Sequence, residues 1–494
     1  MIALIKRAQD FSTRIAVKDP QGAYTYGELL EASALLADQL LNGKSSLEEA
    51  RIGFMVRPGF SYVKTQWAIW RAGGIAVPIC VSYPAPSILY VLEDGQVSQL
   101  IAEEEFLPLL RPLSEQTGIP ILGEKGQVGS PVTLPEVPPS GRAMILYTSG
   151  TTGKPKGVVS THAAIQAQIT ALVDAWQWQA EDHILNILPL HHVHGIINVM
   201  SCALWSGACC EFLPKFQEEK IFDAFSRGEI NLFMAVPTIY YKLIAYWESR
   251  TEKERKEVST SLQTFRLMVS GSAALPISTL EKWKEISGHT LLERFGMTEM
   301  GMAISNPYEG ERRPGHIGQA LPGITVRLVN EENQEVKEGL SGEIQVKGLN
   351  VFTEYWQKPE ATQATFTEDG WFKTGDIAVM DKGYFRILGR NSVDIIKSGG
   401  YKISALEIEE VLRKYPAIKD CGVVGIPDDE WGELVVAGLV IAESELDEGD
   451  LSTWLKERLP GYKLPRKYLI LDDLPRNVMG KVTKKALSAM FAAK

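Results

Sequence analysis

Short apolar runs alternate with helical repeats along most of the chain. The spacing predicts strands at Ala143–Tyr147, Leu232–Val236 and Arg266–Val269. Each is followed by an amphipathic pattern, at Thr161–Trp176, Pro237–Trp247 and Leu275–Ile286. Such alternation predicts layered α/β architecture. From about Gly323 the period changes to two, in ITVRLVN, GEIQVKG and IAVMDKGYFRILG, with glycine-containing turns between. This predicts a small, mainly antiparallel β subdomain. After Gly389 and Arg390 short strands interleave with helices at Ala405–Lys414 and Glu448–Leu459. The expected organisation is therefore a large α/β N-terminal body, residues 1–389, and a small α+β C-terminal domain, residues 390–494.

One apolar stretch needs a decision. Between Asp182 and Glu211 there is no Lys, Arg, Asp or Glu. A membrane span would have to bury Asn186, His191, His192, His194 and Asn198 in hydrocarbon, at high cost. A strand from Ile184, a histidine-rich turn and a buried helix fit better. The start of the chain lacks the apolar run of a secretory signal. Its early periodicity (Ile2, Leu4, Ile5) predicts a first helix. Thr251–Ser259 is a charge cluster and is expected to be a solvated helix end.

Composition adds exclusions. The 494 residues are 45% hydrophobic and 23% charged, which fits a globular chain with more than one core. A net charge of −10 argues against nucleic-acid or membrane-surface binding. It does not exclude small anions, which are held by local donors. The five cysteines, Cys80, Cys202, Cys209, Cys210 and Cys421, form no metal or redox spacing. They read as free thiols in a reducing compartment, and the cytoplasm is the expected location.

The densest chemistry lies at residues 147–157, YTSGTTGKPKG. Three glycines let the backbone approach an anion. The hydroxyls of Thr148, Ser149, Thr151 and Thr152 and the charges of Lys154 and Lys156 make a polyphosphate cradle, with Gly150 and Gly153 as its hinges. It lies after a strand and before a helix in the predicted order, and it is not a Walker A loop.

This loop resembles the signature of the adenylate-forming superfamily, which includes acyl-CoA synthetases, luciferases and peptide-synthetase adenylation domains. Further pieces follow in matching order. They are LPLHHVHG at 188–195, ERFGMTE at 293–299, GWFKTGD at 370–376, Gly389-Arg390, IKSGGY at 396–401 and PRNVMGK at 475–481. The resemblance covers essentially the whole chain. It implies a two-step reaction. A carboxylate attacks the α-phosphate of ATP, forming an acyl-adenylate and pyrophosphate. A thiol, usually coenzyme A (CoA), then takes the acyl group and AMP leaves.

The resemblance also assigns roles. Glu299 is expected to hold Mg2+ on the phosphates, and Thr298 to bond their oxygens. Phe295 is expected to face adenine, and Asp376 and Arg390 to hold the ribose. Lys481 is expected to bridge the carboxylate and α-phosphate, and His192 to lie near the reacting carboxylate. Ser398, Gly399, Gly400 and Tyr401 form the expected CoA loop. The family's small domain rotates between the steps, with a nominal hinge at Ser392. Taken singly, Phe295 also reads as core, Asp376 as a turn cap and Lys481 as a solvated surface lysine.

Arg294 bears on substrate choice. A fixed cation beside the adenine motif suits a second carboxylate, which a guanidinium binds as a fork. The alternative is a structural ion pair with Glu293 or another acid. In the family pattern that the chain resembles, His194 faces this region and is expected to donate to a distal carboxylate. Ser270 and Ser272 read equally as pocket hydroxyls or turn hydrogen bonds. Arg312 and Arg313 read equally as CoA contacts or surface-loop residues. VSGSAALP at 269–276, the run from Gly288 to Glu299, and NPYEGERRPG at 306–315 resemble the malonyl-CoA synthetase branch. Malonate is then the expected acid, with methylmalonate beside it. A short-chain or aromatic acid:CoA ligase of the same fold, or an enzyme loading a carrier protein, is the alternative. The expected partners are ATP, CoA and a small diacid.

Overall fold

The computed structural model describes residues 2–123, 133–148, 154–391, 393–442, 446–476 and 482–492. Two large sheets carry the N-terminal body. One has nine strands. Its interior is parallel and runs Leu292–Met297, Leu267–Ser270, Leu232–Ala235, His183–Asn186, Cys209–Phe212 and Ile15–Asp19. Antiparallel strands close both edges. The other sheet has seven strands, with Ile75–Pro78 and Arg51–Met55 near its middle. The central strands are buried on both faces, as their unbroken apolar runs require. A shared core containing Trp67, Trp70 and Trp176 fills the space among the elements.

The period-two region forms a four-stranded antiparallel sheet of Thr325–Val329, Ser341–Lys347, Phe372–Asp381 and Tyr384–Arg390. A separate five-stranded sheet begins at Ile395 and has its own core, built on Ile408, Val423, Leu439 and Leu455. The first helix, Ala3–Ala8, forms as the early periodicity predicts.

Three local outcomes refine the sequence reading. The charge cluster is a helix in its own right, Glu252–Leu262, with Leu262 as its buried residue. A Thr251–Glu254 capping box satisfies its first turn. The apolar stretch becomes strand His183–Asn186, a turn, an eight-residue π-helix His194–Ser201 and helix Cys202–Ser206. No helix among the described residues is long and apolar enough to cross a membrane. The phosphate loop does not run directly into a helix. Strand Lys156–Thr161 intervenes and pairs antiparallel with Arg142–Thr148 before helix His162–Ala175 begins. The β-branched run Val158-Val159 favours that strand, and Thr161 caps the helix. The loop therefore joins two paired antiparallel strands, and among the described residues no helix begins at its end.

Candidate active site

The proposed acid-binding residues meet at the carboxyl ends of parallel strands, where ligands bind in open α/β sheets. Strand Leu292–Met297 carries Arg294. The neighbouring Leu267–Ser270 ends at Ser270 and leads into Gly271 and Ser272. The π-helix supplies His194 as its first residue. Local irregularity of this kind often marks functional sites. Gly195 permits the tight approach there, since a Cβ on it would lie 3.0 Å from the Pro189 carbonyl oxygen.

Arg294 is 4% exposed. Its Nε and Nη2 are buried without a hydrogen-bond partner among the described residues. Those two nitrogens form one side of the guanidinium, the edge that grips a carboxylate in a fork. Burial alone pushes Arg294 down to about 9. Glu293 does not neutralise it. Adjacent residues on a strand face opposite ways, and the Glu293 carboxyl accepts the Gly315 N–H at 2.9 Å instead. Burial, with the Glu410 charge nearby, raises Glu293 to about 8. Burial, then the Arg294 and His192 charges, holds the His194 imidazole well below its ordinary range. His194 is therefore neutral near pH 7. Its Nδ1 lies 3.3 Å from Ser272 Oγ, and its Nε2 is buried without a hydrogen-bond partner among the described residues. Ser272 takes φ +68° to make that contact. Ser270 Oγ is likewise buried without a partner among the described residues. The His192 and His191 ring centroids lie 4.0 Å apart.

A second constellation surrounds the two arms of the phosphate loop. Thr148 and Lys156 are register partners, and Thr148 Oγ1 lies 3.5 Å from the Lys156 carbonyl oxygen. The Lys156 ammonium sits 4.8 Å from the Tyr355 ring centroid. Tyr355 donates its hydroxyl proton to Glu299 Oε1 at 2.9 Å. Glu299 follows Thr298 in the turn after Leu292–Met297, and burial raises its pKa while Arg390 and Lys156 pull it down. The buried Glu299 carboxylate is the hard oxygen donor that a divalent ion takes, and the neighbouring cations suit the phosphates that would come with the ion. Phe295 is half-buried against the shared core. Asp376 and Arg390 are register partners on adjacent strands, and Arg390 Nε donates to Asp376 Oδ1 at 3.3 Å. Ser149, Gly150, Thr151, Thr152, Gly153, Ser392 and Lys481 lie outside the described residues.

The pattern of AMP-binding enzymes matches residues 4–356, and that of the AMP-binding enzyme C-terminal domain matches residues 407–481. The chain belongs to the AMP-binding enzyme family. A human mitochondrial malonate–CoA ligase is 45% identical over 98% of this chain and 91% of its own length. An Arabidopsis thaliana malonate–CoA ligase is 39% identical over 98% of this chain and 87% of its own. The crystal structure of ATP-bound MatB from Rhodopseudomonas palustris superimposes with a TM-score of 0.90 at 32% identity, covering 99% of both chains.

In this AMP-binding enzyme the residues of the expected CoA loop form a hairpin turn. Ser398 and Tyr401 are register partners. Gly399 and Gly400 bridge them with φ +56° and +80°, conformations that favour glycine. Gly399 N–H donates to the Trp431 carbonyl. Tyr401 is exposed and stacks on Tyr462 at 4.4 Å. Next to the turn, Lys402 pairs at 2.7 Å with Glu331, in the exposed turn that follows strand Thr325–Val329. No hydrogen bond or ion pair joins the hairpin to Arg294, His194 or Glu299 among the described residues.

Other open readings resolve. Arg312 donates to the carbonyls of Pro307, Thr290 and Tyr308, which makes it a loop-bracing residue. Arg313 pairs with Glu311 and lies over the Tyr384 ring. All five cysteines are free. Among the described residues, the cluster with metal-ligating geometry is His183, Glu211 and Glu229. Its carboxylates are already paired with Arg227 and Lys18.

Sequence reading missed Gly271 and Tyr355. A Cβ on Gly271 would lie 2.5 Å from Arg294 Cζ. The small-residue run SGSAA was the available signal for the glycine. Tyr355 carried none, because it reaches Glu299 only through an edge strand of the seven-stranded sheet.

Proposed function

We propose that this enzyme joins malonate to CoA in an ATP-dependent, AMP-forming reaction. The observation that carries the reading is the buried Nε/Nη2 edge of Arg294, a fork that no carboxylate among the described residues fills. A diacid supplies one carboxylate for reaction and one for the fork. The malonate–CoA ligase relatives support the same substrate.

The chemistry then follows from the placement. The distal carboxylate of malonate seats on Arg294, with the neutral His194 imidazole donating beside it. The other carboxylate is directed toward the phosphate constellation. There one of its oxygens attacks the α-phosphorus of ATP, and pyrophosphate leaves. Thr148, Lys156 and Thr298, with the hydroxyls of the phosphate loop, hold the phosphate oxygens. Phe295 faces adenine, and Asp376 and Arg390 take the ribose hydroxyls. Glu299 would hold Mg2+, which spreads charge over the phosphates when bound. Lys481 neutralises the approach of two anions, and His192 lies beside the reacting carboxyl. In the second step the CoA sulfur attacks the acyl carbon. The thiol gives up its proton, and the bond to AMP breaks.

We assign residues 390–494 as a cap that rearranges between the steps, bringing the Ser398–Tyr401 hairpin to the site for the second. A malonyl-CoA ligase product complex with methylmalonyl-CoA and AMP bound superimposes with a TM-score of only 0.70, at 34% identity. The higher score with the ATP-bound relative supports reading the present arrangement as the one for adenylation. Five free thiols fit a reducing compartment, and we place the enzyme in the cytoplasm.

The test is a panel of acids assayed for AMP release with and without CoA. Malonate-selective, CoA-dependent AMP formation is expected, with methylmalonate the next best acid. Preference for acetate, propionate or benzoate would overturn the assignment.

A further inference from the structure

Helix Ala85–Asp94 ends on an acid. No basic residue occupies its last turn, and the last residue is Asp94. A carboxylate at a helix C-terminus opposes the helix dipole, so its position calls for a tertiary reason. The structure supplies one. The Asp94 side chain is 15% exposed. Its Oδ2 accepts the Tyr147 hydroxyl proton at 2.9 Å. Its Oδ1 takes the Lys358 ammonium at 2.7 Å. The Tyr90 hydroxyl, one helical turn back, lies 3.2 Å from Oδ1 and donates to the Pro155 carbonyl at 2.7 Å.

These partners stand at meaningful places. Tyr147 immediately precedes Thr148, and Pro155 immediately precedes Lys156. Lys358 follows the edge strand Glu354–Tyr355, whose Tyr355 lies under Lys156 and binds Glu299. One carboxylate thus gathers both arms of the phosphate hairpin and the segment behind its lysine. The surroundings leave no slack for this. A Cβ on Gly95 would lie 3.1 Å from the Tyr147 hydroxyl oxygen and 2.6 Å from the Val91 carbonyl oxygen. A Cβ on Gly157 would lie 3.3 Å from Tyr147 Cζ. The Tyr90 and Tyr147 rings meet edge-on at 6.1 Å, and the Lys154 ammonium sits 5.6 Å from the Tyr90 centroid. Burial and the Asp94 charge push the Tyr90 phenol up to about 12 and Tyr147 higher still, so both remain donors at physiological pH.

We propose that Asp94 is a positioning residue for ATP. It sets the spacing of Thr148 and Lys156 through Tyr147 and Tyr90, and it touches no substrate itself. The proposal rests on the reading of the 148–156 hairpin as the phosphate site, and not on the identity of the acid. Its logic is that of any polar support behind a charged ligand site. A small displacement of two phosphate donors weakens the ligand, while a pocket on other strands is spared.

The experiment measures ATP affinity directly, by calorimetric titration without acid or CoA, and then the KM values of the full reaction. Asp94→Asn, Tyr147→Phe and Tyr90→Phe are compared with the wild type. Tyr147→Phe preserves ring volume and serves if the Asp94 variant folds poorly. Each is expected to weaken ATP binding by about tenfold and raise KM for ATP alike, with KM for malonate within about twofold. The Asp94→Asn/Tyr147→Phe double variant is expected to lose less than the product of the single losses, because both break one contact. Unchanged ATP affinity would overturn the proposal. So would a parallel rise in both KM values, or a fall in thermal stability alone. Failure of wild-type enzyme to use malonate while binding ATP normally would count against the substrate assignment and leave this test intact.

Discussion

An added methyl on Gly271 would fall 2.5 Å from the Arg294 guanidinium carbon, so this glycine and this arginine share one space. The contact is steric. Gly271→Ala must move the guanidinium or the strand ends that carry both residues, and overpacking of this kind costs about 1–3 kcal/mol. The loss is expected to appear as a rise of about tenfold or more in KM for malonate, with ATP affinity unchanged. Equal weakening of ATP and malonate would mean that the substitution disturbs the fold and not the fork.

Arg294 itself sets function against stability. A buried guanidinium without a counter-charge is costly in the free enzyme, and its gain comes when a carboxylate arrives. Arg294→Met is therefore expected to raise the thermal midpoint while cutting kcat/KM for malonate by about 10²–10³-fold. Arg294→Lys restores a charge without the two-pronged edge and should recover only part of the loss. Monocarboxylic acids should lose no activity in the Met variant. A variant that keeps malonate turnover and loses only stability would make Arg294 structural.

The pH dependence has a definite sign. The cation is the proton-bound form of Arg294, and burial brings its loss down to about pH 9. For malonate, kcat/KM should hold level from pH 7 to 8 and fall as pH passes about 9. His194 stays neutral throughout that window and adds no second inflection. A monocarboxylic acid processed by the same enzyme should lack the alkaline fall. An identical profile for both acids would assign the inflection to another group.

Much of the site was legible because its residues sit in contiguous motifs. Lys156, Arg294, Glu299, Asp376 and Arg390 each lie in runs whose chemistry is visible along the chain. The two large sheets were legible as well, since parallel buried strands leave unbroken apolar runs. What escaped depends on contacts across sequence. Asp94 reads as an ordinary helix-end acid until Tyr147 and Lys358 arrive beside it, the latter 264 residues away. Tyr355 belongs to a two-residue edge strand, too short to show any period. The strand after the phosphate loop was masked by glycine- and lysine-rich composition, and its pairing with Arg142–Thr148 decides its form. The alternative reading of Arg294, an ion pair with Glu293, does not hold for a local reason. Strand alternation separates neighbouring side chains, and Gly315 offers Glu293 a backbone donor.

Glu293 makes a final prediction about the fold. Its carboxyl titrates at about 8 in the native enzyme, raised mainly by burial, against an ordinary value of 4.5. Between those values the native state holds a proton that the unfolded chain has released. Stability must therefore fall as pH rises through that window, by at most about 1.4 kcal/mol per unit from this one group. Glu293→Gln replaces the protonated acid with a neutral group of the same shape that can still accept the Gly315 N–H. It is expected to match the wild type near pH 5 and to exceed it increasingly toward pH 8, as read from denaturant midpoints at fixed ionic strength. Parallel curves for the two proteins would show that Glu293 is ionised in the fold. In that case strand alternation and the Gly315 N–H alone would hold its charge away from the Arg294 fork.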